Sequence, residues 1–348
     1  MNDSIPAFVL AQFRELDGQP AIIQSGGLIN RTFRVEGRRG PVIVQRLHPI
    51  FAGHVNEDID IVTQHLEKKG LSTPRPVRTD AGALWVEAED GGVWRALTFV
   101  DGRSFDRIES ADMAFEAGRL VATFHLAVED LDHEYRHVRA GVHDARKHLG
   151  ILETALGEHS GHRLFDQVAP LAERILHAAE KLPDLSSLAR RNAHGDLKIS
   201  NLLFRDGSGH CLVDLDTLGR MIWPFEMGDA LRSWTNPNGE DQQRSAVDVH
   251  TFAAALSGYG AVSRGTGLVS ETEVEMLVTG LGTICVILAA RFLADALNER
   301  YFGYDPRRFP ARGEHNLLRG AGQLSLYESV EICRGELEAS ARRALGRA

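Results

Sequence analysis

The sequence predicts a bilobal α+β fold, in which a small antiparallel-sheet lobe precedes a larger and mainly helical lobe. The chain has 348 residues, which is more than one typical domain needs. Short segments rich in Val, Ile, Thr and Phe fill the first hundred residues, and long helical patterns replace them after Asp101-Gly102. We therefore expect an N-terminal lobe over residues 1–101 and a C-terminal lobe over residues 102–348.

The N-terminal lobe is expected to contain strands and one helix. Five strands are indicated by β-branched and aromatic runs between turn residues, at 21–25, 31–36, 41–47, 82–87 and 93–100. A helix is predicted over 56–69, because Ile59, Val62 and Leu66 recur near helical spacing and Gly70 follows as a stop signal. The order is three strands, a helix and two strands.

The C-terminal lobe is expected to consist mostly of helices, including 110–128 and 167–181. Its longest apolar run, residues 276–290, is shorter than a bilayer span and contains Gly280 and Gly282. This run therefore favours a buried core helix and no membrane association.

The composition excludes several classes of function. The formal net charge is −9, and Lys and Arg are scattered among acidic residues, which argues against nucleic-acid binding. The N-terminus lacks a basic segment followed by an apolar one, so no export signal is indicated. The three cysteines are far apart and form no CxxC pair, which argues against both a disulfide framework and a zinc site. A cytoplasmic protein is the expectation.

The most informative segment is His-Gly-Asp-Leu-Lys-Ile-Ser-Asn at residues 194–201. Asp214 follows Asn201 by thirteen residues, within the apolar stretch Cys-Leu-Val-Asp-Leu-Asp. Protein kinases have the same order, H-R-D-L-x-x-x-N and then a metal-binding Asp on the next strand. By this pattern Asp196 orients the attacking hydroxyl, Asn201 and Asp214 hold a divalent metal, and Lys198 adds a cation near the transferred phosphoryl group.

Each of these residues has an ordinary structural interpretation when taken alone. Asp in a loop is usually a cap or turn residue, and Asn usually bonds to nearby backbone. The combination is different, because several carboxylates beside an apolar strand require charge compensation, which a divalent cation provides. The spacing therefore predicts a phosphotransferase site.

The sequence resembles the aminoglycoside phosphotransferase and choline kinase superfamily of small-molecule kinases. The segments that carry this resemblance are HGDLKISNLLF, LVDLDT, GRLVATFH and MGDALRS. Within the superfamily the sequence is most similar to the N-acetylhexosamine 1-kinase group, through GGLINRTFRV, VIVQRLH, WRALTFVDG, VDLDT, ARFLADALNERYF and EHNLLR. The resemblance spans nearly the whole chain and implies a kinase-like fold with ATP and Mg²⁺ bound between the lobes.

Residue by residue, the resemblance implies Asp196 as the general base, Asn201 and Asp214 as magnesium ligands, and Asp216 as a carboxylate on the substrate side. It also implies that the hairpin loop at residues 25–30 covers the phosphates, with the residues Ser25, Gly26, Gly27 and Asn30. Asp229 is expected to bond to the backbone of the catalytic loop.

Two further parts of the nucleotide site are expected in the N-terminal lobe. Arg46 stands on the third strand, where protein kinases have a Lys, and Glu57 on the following helix is its expected ion-pair partner. The hinge that receives the base is expected at Thr98, Phe99 and Val100.

For the acceptor, the resemblance implicates Arg291, Asp295 and Tyr301, although an Arg and an Asp one turn apart also commonly brace a helix. The sequence departs from the group at the first hairpin, where Leu28 replaces the His of a GHIND motif. The expected acceptor is the anomeric hydroxyl of an N-acetylhexosamine. Phosphorylation of an aminoglycoside or an amino alcohol such as choline or homoserine is the alternative.

Two other functions are disfavoured by the sequence. A nucleotide-binding pseudokinase is argued against by the presence of all three acidic and amide residues of the catalytic pattern. A protein kinase is argued against by the absence of D-F-G and A-P-E motifs and of a long activation segment. The expected partner is a small polar metabolite, and the protein is expected to be a monomer or a homodimer.

Overall fold

A computed structural model of the protein describes residues 4–24, 30–137 and 141–346. The strands of the described chain are β1 (Ala21–Ile23), β2 (Arg31–Gly37), β3 (Gly40–Arg46), β4 (Pro76–Val77), β5 (Val86–Glu87), β6 (Val93–Thr98), β7 (Arg190–Ala193), β8 (Leu202–Arg205), β9 (Ser208–Leu212) and β10 (Gly219–Ile222). The α-helices are α1 (Ala7–Leu10), α2 (Val55–Lys68), α3 (Ala111–Ala127), α4 (Ala145–Glu158), α5 (Phe165–Glu180), α6 (Trp223–Trp234), α7 (Val249–Ser263), α8 (Glu271–Asn298) and α9 (Arg312–Leu345).

The N-terminal part is an antiparallel sheet with the order β1-β2-β3-β6-β4, in which β5 also pairs with β6. The predicted bilobal α+β fold is therefore confirmed. The predicted strand over 82–87 is formed only at Val86–Glu87, and β4 and α1 were not predicted. The helix expected over 56–69 is α2, which buries Ile59, Val62 and Leu66 as the spacing indicated.

The two faces of this sheet have different neighbours, because successive side chains of a strand point to opposite faces. Phe33, Val44 and Trp94 lie on one face and form a small core with the segment 5–16 that contains α1. Gln45 pairs in register with Arg95 on the opposite face, where Gln45 accepts a hydrogen bond from Arg95 and Arg95 donates to Asp216 of the C-terminal lobe.

The C-terminal part is built around α8, whose apolar stretch is long enough to cross a membrane by length and composition alone. In this fold 83% of that stretch is buried, so α8 is a core helix, as the sequence predicted. Glycines allow the helices to pack closely around the core. A Cβ on Gly118 of α3 would lie 1.8 Å from the Ala255 carbonyl oxygen of α7, and one on Gly258 of α7 would lie 1.8 Å from the Phe115 carbonyl oxygen of α3.

Two small antiparallel strand pairs flank the segment 194–201 in the helical lobe. Strand β7 precedes this segment in the chain, and its partner β10 comes after it. The β8–β9 pair follows the segment directly. The chain passes from β7 through residues 194–198 into a 3₁₀ turn (Ile199–Asn201) and then into β8. We call residues 194–201 the catalytic loop.

Candidate active site

Asp196 is the centre of the catalytic loop. Its Oδ2 accepts hydrogen bonds from Lys198 Nζ at 2.8 Å and from Asn201 Nδ2 at 3.0 Å. Burial raises the pKa of Asp196, but the adjacent Lys198 ammonium outweighs burial and holds the pKa below its ordinary value. The carboxylate is therefore ionised near neutral pH, and 24% of its side-chain surface is exposed. The structure thus brings together three of the residues that the sequence predicted.

Helix α6 holds the backbone of the catalytic loop through side chains that sequence reasoning missed. The Glu226 carboxylate is buried and accepts hydrogen bonds from the backbone N–H groups of His194 at 2.8 Å and Gly195 at 3.1 Å. Trp234 Nε1 donates to the Leu197 carbonyl oxygen at 2.8 Å. These contacts fix the loop from two ends of one rigid helix.

The loop was expected to be held by Asp229 instead. That carboxylate accepts a hydrogen bond from Arg232 Nε at 3.0 Å, and Arg232 also donates to Glu240 at 2.6 Å. The expectation was wrong by one turn of α6, because Glu226 is the residue that faces the loop amides. An acidic residue three positions before Asp229 was the available signal.

Asp214 lies beside the catalytic loop in a left-handed backbone conformation, with φ 62° and ψ 57°. This conformation is uncommon for a residue other than glycine and is often found at functional sites. His194 Nε2 approaches the Val213 carbonyl oxygen at 2.9 Å, and the Val213 N–H donates to the Asn201 carbonyl oxygen at 2.9 Å. The loop and the strand end that carries Asp214 are therefore joined by backbone contacts.

The charges around Asp214 are unbalanced. Burial raises the pKa of Asp214, and the neighbouring carboxylates Asp216 and Asp196 raise it further. Asp196 is paired with Lys198 and Asp216 with Arg95, whereas Asp214 forms no ion pair within the described part of the chain. Such a carboxylate has the electrostatic environment that a divalent cation relieves.

Asn201 and Asp214 offer oxygen ligands that suit a hard cation, and other groups must complete its coordination. Asn201 donates through Nδ2 to Asp196, which leaves its amide oxygen as the atom able to coordinate. Together with Asp214 it supplies the oxygen ligands that Mg²⁺ prefers. Within residues 4–24, 30–137 and 141–346 no group of three or more His, Cys, Asp and Glu side chains is placed to hold a metal. Phosphate oxygens would have to supply the remaining ligands.

Asp216 does not face a substrate cleft, so the expected substrate contact is wrong. Its side chain is 1% exposed, and both carboxylate oxygens accept hydrogen bonds from the Arg95 guanidinium. Asn30 Nδ2 also donates to Asp216 Oδ2 at 2.6 Å. Asp216 therefore connects the helical lobe to the sheet, and Arg95 is a site residue that sequence reasoning missed.

The expected ion pair between Arg46 and Glu57 is also wrong. Arg46 lies on the sheet face of Trp94, away from the helical lobe, and its Nη2 donates to Asp90 Oδ2 at 2.7 Å. Glu57 contacts Arg136 and lies 3.5 Å from His54 Nδ1. The cation that faces the other lobe is Arg95, which pairs in register with the neighbour of Arg46 on β3.

The connection between the lobes begins where the sequence placed the hinge. Strand β6 ends at Thr98, whose N–H donates to the Arg75 carbonyl oxygen at 2.8 Å. Phe99 packs under the Arg34 guanidinium at 4.6 Å, and Val100 is half-buried. The predicted phosphate-covering residues Ser25, Gly26 and Gly27 lie outside the described residues, and Asn30 marks the point where the described chain resumes.

The predicted acceptor residues have different surroundings. Asp295 is 5% exposed and accepts hydrogen bonds from three successive backbone N–H groups, at residues 300–302, and from Asn316. Asp295 therefore stabilises the turn that follows the C-terminal end of α8, and the expected contact between Asp295 and the substrate is wrong. Tyr301 is 57% exposed, and the Arg291 guanidinium lies 5.7 Å from the centre of its ring. The exposed Tyr301 ring and the half-buried Arg291 guanidinium therefore lie side by side.

Comparison with known proteins identifies the family. A model of the phosphotransferase enzyme family matches residues 23–262. The chain belongs to this family. It is therefore a phosphotransferase that uses an alcohol group as acceptor, and the predicted superfamily is confirmed.

Relatives of known activity include homoserine kinases. The homoserine kinase of Gluconobacter oxydans is 27% identical over 236 residues, which cover 67% of this chain and 68% of the relative. The homoserine kinase of Xanthobacter autotrophicus is 29% identical over 248 residues, which cover 68% and 69%.

Solved structures share the fold over nearly the whole chain. An aminoglycoside phosphotransferase from Alicyclobacillus acidocaldarius has a TM-score of 0.62 at 16% identity and covers 99% of this chain and 97% of its own. A microcompartment-associated aminopropanol kinase has a TM-score of 0.64 at 14% identity, covering 94% and 97%. A spectinomycin phosphotransferase in complex with ADP and spectinomycin has a TM-score of 0.58 at 13% identity, covering 93% and 96%.

Proposed function

We propose that this phosphotransferase is a cytoplasmic, ATP- and Mg²⁺-dependent kinase that phosphorylates the anomeric hydroxyl of an N-acetylhexosamine. The observation that carries the nucleotide and metal part is the distribution of charge among three neighbouring aspartates. Asp196 and Asp216 have cationic partners within the protein, and Asp214 has none among the described residues. The divalent cation of a metal–nucleotide complex would supply the positive charge that Asp214 lacks as a partner.

The residues of the loop divide the remaining work. The ionised Asp196 carboxylate accepts a hydrogen bond from the acceptor hydroxyl and so orients the hydroxyl oxygen toward the γ-phosphorus. Asp196 takes the hydroxyl proton as the new O–P bond forms, while the bond between the γ-phosphorus and the bridging oxygen breaks and ADP leaves. Lys198, held on the same carboxylate, places positive charge beside the phosphoryl oxygens. Asn201 and Asp214 would hold Mg²⁺, which neutralises charge on the phosphates of the bound nucleotide.

The backbone near Phe99 and Val100 is the proposed site of the adenine base. It follows the last long strand of the sheet and precedes the bridge between Arg103 and Phe204, where the chain enters the helical lobe. Protein kinases bind their nucleotide in the cleft between two such lobes.

A sugar acceptor is supported by the motifs shared with the N-acetylhexosamine 1-kinase group and by the exposed Tyr301 ring beside the Arg291 guanidinium. Aromatic rings with a polar edge provide apolar contact area together with hydrogen bonding. A strongly cationic acceptor would instead need unpaired carboxylates. Glu240, whose charge contributes to the raised pKa of Lys198, is already bonded to Arg232 at 2.6 Å.

Homoserine or an amino alcohol is the second candidate, and the similarity to two homoserine kinases over about two thirds of the chain favours it. The fold likeness to an aminopropanol kinase points the same way but rests on 14% identity. These acceptors carry an ammonium group, which distinguishes them experimentally from an N-acetylated sugar.

The deciding experiment is an acceptor panel with the purified protein, ATP and Mg²⁺. ADP release is measured with N-acetylglucosamine, N-acetylgalactosamine, glucose, homoserine, choline, 1-amino-2-propanol and kanamycin, and the product is assigned by ³¹P NMR. We expect turnover with an N-acetylhexosamine and a phosphorus signal coupled to the anomeric proton. Turnover only with homoserine or an amino alcohol would establish the second candidate. ADP formation with none of the acceptors would refute both.

A further inference from the structure

One buried ion pair joins the two lobes. Arg95 projects from β6 and Asp216 from the turn after Asp214, and each side chain is 1% exposed. The guanidinium binds the carboxylate with two N–H groups, one from Nη1 to Oδ1 and one from Nη2 to Oδ2 at 3.0 Å. We call this Arg95–Asp216 pair the latch. Its bidentate geometry fixes the orientation of both planar groups.

Arg95 is fully engaged inside the protein. Its Nε and Nη2 donate to Gln45 Oε1 at 2.9 and 2.7 Å, and its Nη1 also lies 3.3 Å from Asn56 Oδ1. The guanidinium is therefore held by β3, by α2 and by the opposite lobe at once. Because its N–H groups are used in this way, Arg95 acts on the site through Asp216 and not by direct contact with a phosphate.

The latch lies between two parts of the proposed nucleotide site. On one side, Asn30 donates to Asp216 at 2.6 Å and accepts a hydrogen bond from the His48 N–H at 2.9 Å. Asn30 directly precedes β2, and His48 follows the end of β3 by two residues. Asp216 thus holds Asn30, and through Arg95 the strand β6 that ends near the proposed base site, against the helical lobe.

On the other side, Asp216 belongs to the 3₁₀ turn Leu215–Thr217 that begins at Asp214. Thr217 Oγ1 donates to the His194 carbonyl oxygen at 2.8 Å, and a Cβ on Gly195 would lie 2.3 Å from the Thr217 carbonyl oxygen. Because Asp214 has left-handed backbone angles, its side-chain direction depends on how this turn is held.

We propose that Asp216 is a positioning residue, and that the latch couples Asn30 and strand β6, which leads to the proposed base site, to the metal-binding carboxylate of Asp214. The inference rests on the proposed nucleotide and metal site. Its consequence is thermodynamic, because coupled sites must strengthen each other's binding by the same factor. Mg²⁺ then tightens nucleotide binding through the latch as well as by direct contact with phosphate.

The test is the Mg²⁺ dependence of nucleotide affinity in the double variant R95M/D216L. Removing one partner alone leaves a buried charge uncompensated and threatens folding, whereas replacing both partners by apolar residues is often tolerated. A fluorescent ADP analogue is titrated into wild type and variant, with Mg²⁺ and with a chelator. We expect the Mg²⁺-induced gain in affinity to fall by about tenfold, a coupling within the usual range, while affinity in the chelator changes little.

Two control variants separate coupling from stability. Arg191→Met breaks another ion pair, between β7 and Glu273 of α8, and should lower Tm without changing the Mg²⁺ gain. Asp214→Ala should abolish the gain. If R95M/D216L does not fold, Arg95→Lys replaces the bidentate contact by a single point charge, and we expect it to lose part of the gain.

The possible failures are distinguishable. If wild type shows no Mg²⁺ gain, the proposed nucleotide and metal site is wrong, and the inference is overturned with it. If wild type shows a gain that Asp214→Ala removes, but a folded latch variant retains it in full, only the coupling role of Asp216 is overturned. A latch variant that loses Tm but keeps the full gain likewise overturns that role.

Discussion

Replacing Asp196 by Asn should separate catalysis from stability. The side chains of Asp196 and Lys198 are 24% and 32% exposed, so their ion pair is partly solvated. Partly solvated pairs contribute about 0–1 kcal/mol, and we expect the free energy of unfolding to change by no more than that. Loss of a general base costs about 10²- to 10⁴-fold in rate, which corresponds to about 3–5 kcal/mol of transition-state stabilisation.

The assay compares kcat from ADP release, nucleotide affinity and Tm for wild type, Asp196→Asn and the control Asp132→Asn. Asp132 is fully exposed and lies 3.9 Å from Arg220, so its variant should match wild type in all three measurements. Because the pKa of Asp196 lies below its ordinary value, the carboxylate stays ionised as pH falls toward that value. We therefore expect no change of wild-type kcat from this group between about pH 6 and 8. An Asp196→Asn variant that keeps kcat within about tenfold of wild type, less than general-base catalysis contributes, would remove Asp196 from its role.

Three further predictions concern other parts of the molecule. Gly118→Ala should destabilise the protein by about 1–3 kcal/mol, because the new methyl group has no room against α7. Gly150→Ala should instead stabilise the protein by about 0.5–1 kcal/mol, because a Cβ there has no atom within 4 Å. Urea denaturation measures both changes. Arg46→Ala should cost less than about 1 kcal/mol of stability, because the pair with Asp90 is exposed. It should also leave the affinity for the fluorescent ADP analogue unchanged. A large loss of that affinity would refute the outward orientation of Arg46. Glu226→Gln should cost about 1–3 kcal/mol at neutral pH, since an amide cannot accept from two loop N–H groups through two oxygens. Burial raises the pKa of Glu226, but His125 and the loop amides hold it below its ordinary value, so this stabilisation is present at neutral pH and should disappear as pH falls through the folded-state pKa.

The contacts among the predicted catalytic residues could be expected because these residues are close in sequence. Asp196, Lys198 and Asn201 lie within six residues of each other, and one tight turn brings their side chains together. The helix α2 was predictable for a similar reason, since its apolar positions repeat at the helical period. The N-terminal segment carried a comparable signal that was overlooked, because Ile5, Val9 and Phe13 recur every four residues and all three are buried.

The nucleotide side of the cleft was less predictable because strand parity decides which face a residue takes. A shift of one position along β3 exchanges Gln45, which meets Arg95, for Arg46, which faces Trp94 and the surface. The place of Arg46 on the third strand favours it as the phosphate-side cation, but only the register of the sheet shows that Arg46 points away. The true cation of this face, Arg95, meets a carboxylate 121 residues later in the chain.

The two aspartates of LVDLDT show how identical side chains acquire different roles from their partners. Asp216 is neutralised by a guanidinium from the other lobe, and Asp214, two residues earlier, is left beside two carboxylates with its pKa raised by burial and by their charge. A single protein cation shared between them would relieve that repulsion and would also compete with a metal. Arg95 and Lys198 lower the pKa of Asp214, but Arg95 is hydrogen-bonded to Asp216 and Lys198 to Asp196, and burial together with the two carboxylates outweighs both cations. On the proposed metal site, we expect this buried ion pair to leave Asp214 as the carboxylate available to a divalent cation.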